Sequence, residues 1–222
     1  MMMNIFSIFD PSTSMMFSFN WLSMIIIIFL FPFQFWLIPS RFTIMWISMI
    51  NYMFNEFKIL IKYSFSNLLT FISLMFLIFF NNFLGLFPYI FTSSSHMSFC
   101  LSLSLSLWFG MMIYSIINYL NNLLTHLTPQ GTPALLMPFM VIIESISLII
   151  RPITLSIRLT ANMIAGHLLL SLLGSSGQLI SNIIMMNILL FSQILLFILE
   201  ISVSMIQAYV FSILSTLYSS DS

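Results

Sequence analysis

Long apolar runs separated by short polar breaks set the pattern of this chain. A helix rises 1.5 Å per residue, so about 20 apolar residues cross roughly 30 Å of hydrocarbon. Residues 15–38 form the first such run, with Pro32 near its end placed to kink or finish it. Residues 42–64 break the pattern, because Arg41, Glu56, Lys58 and Lys62 punctuate a stretch of Phe, Ile and Met. That mixture predicts an amphipathic helix lying at the interface. Residues 68–90 and 97–124 predict a hairpin of two further spans, the first interrupted late by Asn81, Asn82, Gly85 and Pro88. Residues 101–107 alternate Leu and Ser with the period of a strand. A lone strand leaves its backbone unsatisfied in lipid, so the helical reading wins.

The polar stretch THLTPQGTP, residues 125–133, separates the first half from the second. Two unusually long apolar stretches follow, residues 133–173 and 178–218. As helices each is about 60 Å long, twice the hydrocarbon thickness. Splitting them requires internal turns, and only Pro138 and Pro152 offer breaks in the first and none in the second. The expectation is a tilted hairpin, about 60° from the membrane normal, closed at Gly174–Gly177. The whole chain then reads as one all-α membrane domain, 1–222, of about five crossings plus one interfacial helix.

Composition supports the membrane class: 60% of residues are hydrophobic, 5% are charged and the mean hydropathy is +1.13. Five cations balance five anions, so no basic field exists to attract nucleic acid. The N-terminal 20 residues lack the basic start of a signal peptide and the Arg-rich pattern of a transit peptide, so insertion is expected to use the spans themselves. Abundant Met, Phe, Ile, Ser and Asn with scarce Ala suggest an AT-rich, organellar genome. Arg41, Lys58 and Lys62 all lie between the first two spans, which puts that segment on the cytoplasmic or matrix side. Five crossings then leave the N-terminus outside and the C-terminus inside.

Candidate chemistry sits in the two long stretches. Arg158 lies deep in the first, where a guanidinium remains protonated and by default marks an ion pathway. Glu144, Arg151 and Arg158 recur every seven residues and form one slowly drifting stripe, which Asn162 extends. Ala161, Ala165 and Gly166 cluster beside it in a chain with four alanines, so another helix can approach closely there. His167 lies about 180° round the helix from Arg158 and looks to a different neighbour. Glu200 is the sole formal charge of the last stretch up to 218, and Gln207 follows it by seven. A carboxylic acid in lipid is neutral unless paired or hydrated, so Glu200 can take and release a proton, and an imidazole titrates near neutrality. Blander roles exist: a structural salt bridge of Arg158 with Glu144 or Glu200, snorkelling of Glu144 and Arg151, and a hydrogen-bonded core His167. A hairpin closed at Gly174–Gly177 places His167 nearer the turn than Glu200, so their contact needs a shifted register. His96 and Cys100 sit one helical turn apart without further ligands nearby, which does not make a metal site. No P-loop, HExxH, GxSxG or dinucleotide turn is present, so neither a nucleotide site nor a cofactor is expected.

The run IRPITLSIRLTANMIAGHLLL, residues 150–170, followed by Glu200 and by MIQAYVF at 205–211, resembles subunit a of the F-type ATP synthase membrane sector, in its mitochondrial, arthropod-like form. The resemblance is specific over residues 128–218. It implies a stator beside a rotating ring of c-subunits, held with other membrane and peripheral-stalk subunits in the inner mitochondrial membrane. Arg158 matches the family's essential arginine, which attracts each ring carboxylate and blocks proton short-circuit between two offset half-channels. His167 and Glu200 match the half-channel from the intermembrane space, Asn162 and Gln207 polar neighbours of the arginine, and Glu144 an acidic position of the matrix-side channel. In bacterial relatives the acid and histidine exchange places. Arg151 departs from the pattern, so the resemblance gives it no role in proton transfer, and Ser156 and Ile157 replace a small-aliphatic pair. Rival readings are a proton-coupled secondary transporter or antiporter, which usually shows repeated halves absent here, and a structural membrane scaffold. An intramembrane hydrolase lacks a nucleophile and base pair.

Overall fold

Ser102, Ser104 and Ser106 decide how the alternating Leu–Ser stretch folds. Their hydroxyls donate to the carbonyls of Phe99, Leu101 and Leu103, three residues back, at 2.8, 3.3 and 3.0 Å. Each hydroxyl is satisfied inside its own helix, which leaves the leucines to pack. The same device serves the buried Ser156, Ser204 and Ser212, which donate to Ile153, Ile201 and Tyr209 carbonyls.

The computed structural model describes residues 5–14, 17–30, 32, 36–61, 65–128, 133, 136–177 and 182–221. Among them the chain is helical, with no strand. Short 3-10 turns at Ile5–Phe9 and Phe19–Leu22 precede α1 (Ser23–Leu30) and α2 (Arg41–Leu60). Then come α3 (Phe65–Gly85), a 3-10 turn at Ser93–Ser95, α4 (Met97–Asn118), α5 (Leu120–Leu127), α6 (Met137–Ser176) and α7 (Ile183–Asp221). Of the described helices, α3, α4, α6 and α7 are long and apolar enough to cross a membrane, making four where about five are expected. The difference lies in the first run: within 15–38 the described helix covers only Ser23–Leu30, and residues 15, 16, 31 and 33–35 lie outside the described set.

Ser40 starts α2 by accepting the Thr43 N–H at 3.3 Å. Its apolar side packs on α3 and α7 as well as facing outward: Phe57 is fully buried, and the Trp46 ring meets Phe76 and Phe80. The helix α3 stops at Gly85, short of residue 90, because the chain folds back on itself there. A Cβ on Gly85 would lie 3.0 Å from Thr92 Cγ2, and Tyr89 in the following turn takes a left-handed φ of 70°. The expected span 97–124 is divided at Tyr119, so that α5 forms a separate short helix.

Both long stretches are single helices, of 40 and 39 residues. Pro138 sits in the first turn of α6, where a missing N–H is tolerated, and Pro152 is accommodated inside the helix and buried. The turn is displaced from Gly174–Gly177, since α6 continues through Gly174 to Ser176; residues 178–181 of the connection lie outside the described set. Three glycines report the register. A Cβ on Gly177, Gly174 or Gly166 would meet Leu189, Gln193 or Glu200 at 3.9, 4.0 and 2.8 Å respectively. The antiparallel pairing is therefore centred near Ile183, several residues past the expected turn. The helix α3 packs against α7 and α4 against α6, and all four share a buried apolar cluster of Ile78, Cys100, Leu155, Leu159, Ala208 and Phe211.

Candidate functional site: two cavities with ionisable groups on either side of Arg158

Arg158 projects from the outer surface of α6, opposite the buried Leu155, Ser156, Leu159 and Thr160 that hold this helix against its neighbours. It makes no ion pair among the described residues. Ala161, Asn162 and Ala165 lie exposed on the same side, within two turns. Gly166 belongs to the inner side instead, so the small residues serve two surfaces. Ala161 and Ala165 leave room outside the chain, while Gly166 admits Glu200 from α7.

The displaced register brings Glu200 to His167. Together with Asn162, Met163, Gly166 and Leu86 they line a cavity of about 190 Å³ between α6, α7 and the end of α3. Glu200 is 8% exposed, and neither of its carboxyl oxygens has a partner; His167 Nε2 is likewise buried and unpartnered. Phe9, in the N-terminal turn, meets the His167 ring edge-on at 6.4 Å. Unpaired polar atoms around a space of this size are the condition under which ordered water enters a protein interior. Gln207 does not line this cavity. The register sets it level with Leu159, beside Arg158, half-buried.

A second cavity, of about 100 Å³, opens at the other end of the helices, between α4, α5, α6 and the end of α7. Glu144 and Arg151 line it, with Arg151 Nη2 3.8 Å from Glu144 Oε1 and the guanidinium carbon 4.9 Å from the centre of the Tyr218 ring. Glu144 therefore pairs with Arg151, and the possible salt bridge to Arg158 is not formed. Arg151 does not hang free at the interface; it ties α6 to the last turns of α7. The apolar cluster around Leu155, Leu159, Ala208 and Phe211 lies between the two cavities.

Two groups escape a reading of the sequence. Asn82, which the sequence presents as an interruption of a span, is 0% exposed, with both amide atoms unpartnered, one turn before Leu86 on α3. Adjacent asparagines within an apolar helix are the signal that points to it. Beside it Asn81 accepts from Ser93 Oγ at 3.1 Å, and the buried turn Thr92–Ser95 leads to His96, whose ring lies 5.1 Å from both Trp21 and Phe91 and whose Nε2 is unpartnered. Cys100 spends its thiol on the Ser94 carbonyl at 3.2 Å. His126 is the other: it lies in the polar turn of the sequence but lines the Glu144 cavity from α5.

Residues 15–220 match the sequence profile of the ATP synthase A chain family. The ATP synthase subunit a of Drosophila melanogaster is 57% identical over 223 residues, that of Anopheles quadrimaculatus 54% over 224 and that of Aedes aegypti 51% over 224. Each alignment covers 100% of this chain and 99% of the relative. The chain is thus a multi-pass membrane protein that belongs to the ATP synthase A chain family, the proton-translocating stator subunits of F-type ATP synthases.

Proposed function

We propose that all 222 residues act as one membrane domain, presenting Arg158 to a ring of c-subunits and opening one hydrated half-channel on each side of it. The observation that carries this reading is the placement of an outward-facing arginine between two separate cavities, one holding His167 and Glu200 and the other Glu144 and His126. Along α6, Gly166 lies about 12 Å and Arg151 about 11 Å from Arg158, in opposite directions. An arginine at the centre of a membrane helix costs about 2.5–3.5 kcal/mol on insertion scales and 10–17 kcal/mol in simulations when lipid surrounds it. A partner surface with a carboxylate removes most of that cost, and Ala161 and Ala165 let its backbone come close. Other membrane and peripheral-stalk subunits hold the stator against the ring.

In this mechanism His167 and Glu200, with Asn162, line the half-channel from the intermembrane space, where water joins the unpaired groups. A proton passes from Glu200 to a ring carboxylate, which is then neutral and turns into lipid. A carboxyl arriving from the other side meets Arg158, whose fixed charge favours its ionisation, and its proton leaves past Glu144 to the matrix. Gln207 supports the arginine. The Arg158 guanidinium has only donors and no acceptor, so it attracts carboxylates without relaying protons. A proton crossing 100 mV yields about 2.3 kcal/mol, which drives rotation only if direct passage is closed. Insect relatives and the cations of α2 favour the mitochondrial inner membrane, N-terminus in the intermembrane space and C-terminus in the matrix.

Cross-linking tests the partner surface. Ala161→Cys or Asn162→Cys in the assembled complex is expected to form a disulfide with a cysteine placed one turn from the ring carboxyl. Failure at both positions, with assembly intact, contradicts the proposed docking of this face on the ring.

A further inference from the structure

We propose that His126 is a proton-transfer residue of the second cavity and that Arg151 is the positioning residue that holds Glu144 toward it; this rests on the stator reading above. The cavity brings four elements together, and each contributes differently. The helix α4 presents Trp108, Met111 and Met112, with Ser115 already donating to the Met112 carbonyl at 2.9 Å. Its wall is therefore apolar. The helix α6 contributes Glu144 and Arg151, α7 contributes Tyr218, and α5 contributes His126.

Of these groups, Arg151 keeps its charge and has both the Glu144 carboxylate and the Tyr218 ring as neighbours. Glu144 and His126 are left as the cavity's carboxylate and imidazole, the two side chains whose oxygens or ring nitrogen can accept and hand on a proton. They are also graded in depth: the Glu144 side chain is 40% exposed and belongs to the membrane-crossing helix, whereas His126 is exposed on the short helix α5 at the rim. A proton on the Glu144 carboxyl leaves its oxygen for a cavity water, which passes a proton to an imidazole nitrogen of His126. The imidazolium then returns it to bulk water, and both side chains are restored. Arg151, anchored on α7, keeps the carboxylate facing the cavity instead of the lipid.

The test uses vesicles holding the assembled complex with the α5 side outward, and measures ATP-driven proton pumping against the outer pH at fixed inner pH. His126→Gln is expected to slow pumping about 3- to 10-fold and to remove the neutral-range bend in the outer pH profile while the inner profile stays. Millimolar imidazole outside is expected to restore the rate. Arg151→Gln is expected to slow pumping yet keep the bend, with Arg151→Lys recovering part of the rate. An unchanged outer profile in His126→Gln, or a slowed rate that imidazole does not restore, overturns the role of His126. Unchanged pumping in Arg151→Gln overturns the positioning role. Arg158→Gln in the same vesicles separates the two levels: if it abolishes pumping while His126→Gln changes nothing, only the His126 proposal fails, and if it leaves pumping intact the stator reading fails with it.

Discussion

Arg151 and Arg158 are the same residue type seven positions apart on one helix, and their surroundings give them different work. A charge inside an apolar run is readable from sequence, which is why Arg158 stands out there. The distinction between the two arginines is not readable, because it depends on Tyr218, far along the chain, coming beneath one guanidinium and on no described residue covering the other. Gly166 shows the same limit. Its small size signals a close approach, but that Glu200 is what approaches follows only from the fold. Replacing it with alanine puts a methyl 2.8 Å from Glu200 Oε1, so the carboxyl must move. Gly166→Ala is expected to lower proton pumping several-fold with assembly unchanged, and Gly166→Val to lower it further, as read by pumping per assembled complex.

Asp10 carries the one pH dependence of the N-terminal turn. The Ser12 N–H and hydroxyl donate to its carboxylate at 3.1 and 2.8 Å and hold its pKa below the ordinary carboxylate value. A carboxylate with a lowered pKa stabilises the fold fully above its unfolded pKa, and that contribution fades as pH falls through the folded one. The amide protection factors of residues 5–14, which carry Phe9 to His167, corrected for the intrinsic exchange rate at each pH, are therefore expected to fall on acidification through the acid range. Asp10→Asn should show that lower protection already at neutral pH.

Among the elements, helical type was readable, while the number of spans, their ends and their register were not. The apolar length of α6 and α7 sufficed to expect two unbroken helices, and internal hydroxyl bonding supports the helical reading of the Leu–Ser stretch. The register failed on the turn: two glycines suggested closure at Gly174–Gly177, yet glycine inside a packed helix interface can serve close approach as well as turning. That displacement is what sets His167 and Glu200 around one cavity. It also sets Phe211 and Ala208 against Leu155 and Leu159 in an apolar cluster between the cavities. A polar side chain there would invite water. Phe211→Asn is expected to raise passive proton leak several-fold in vesicles whose ring carboxyls are chemically blocked, whereas Phe211→Leu should stay tight.

For the whole molecule, two cavities open at opposite ends of one helix pair, and the polar path between them leaves the chain. Within the chain an apolar cluster lies between them; in the proposed mechanism the route passes outside it, by Arg158 and the ring carboxyl opposite. Composition and motif alone did not point to a rotor; the family and the exposed arginine do. Removing the arginine's charge tests this most directly. Proton flux and ATP hydrolysis would be measured together in vesicles holding equal amounts of assembled complex, native or Arg158→Gln. Loss of ATP-driven pumping, with any remaining flux independent of hydrolysis, is the predicted result. Coupled pumping at the native rate would contradict it.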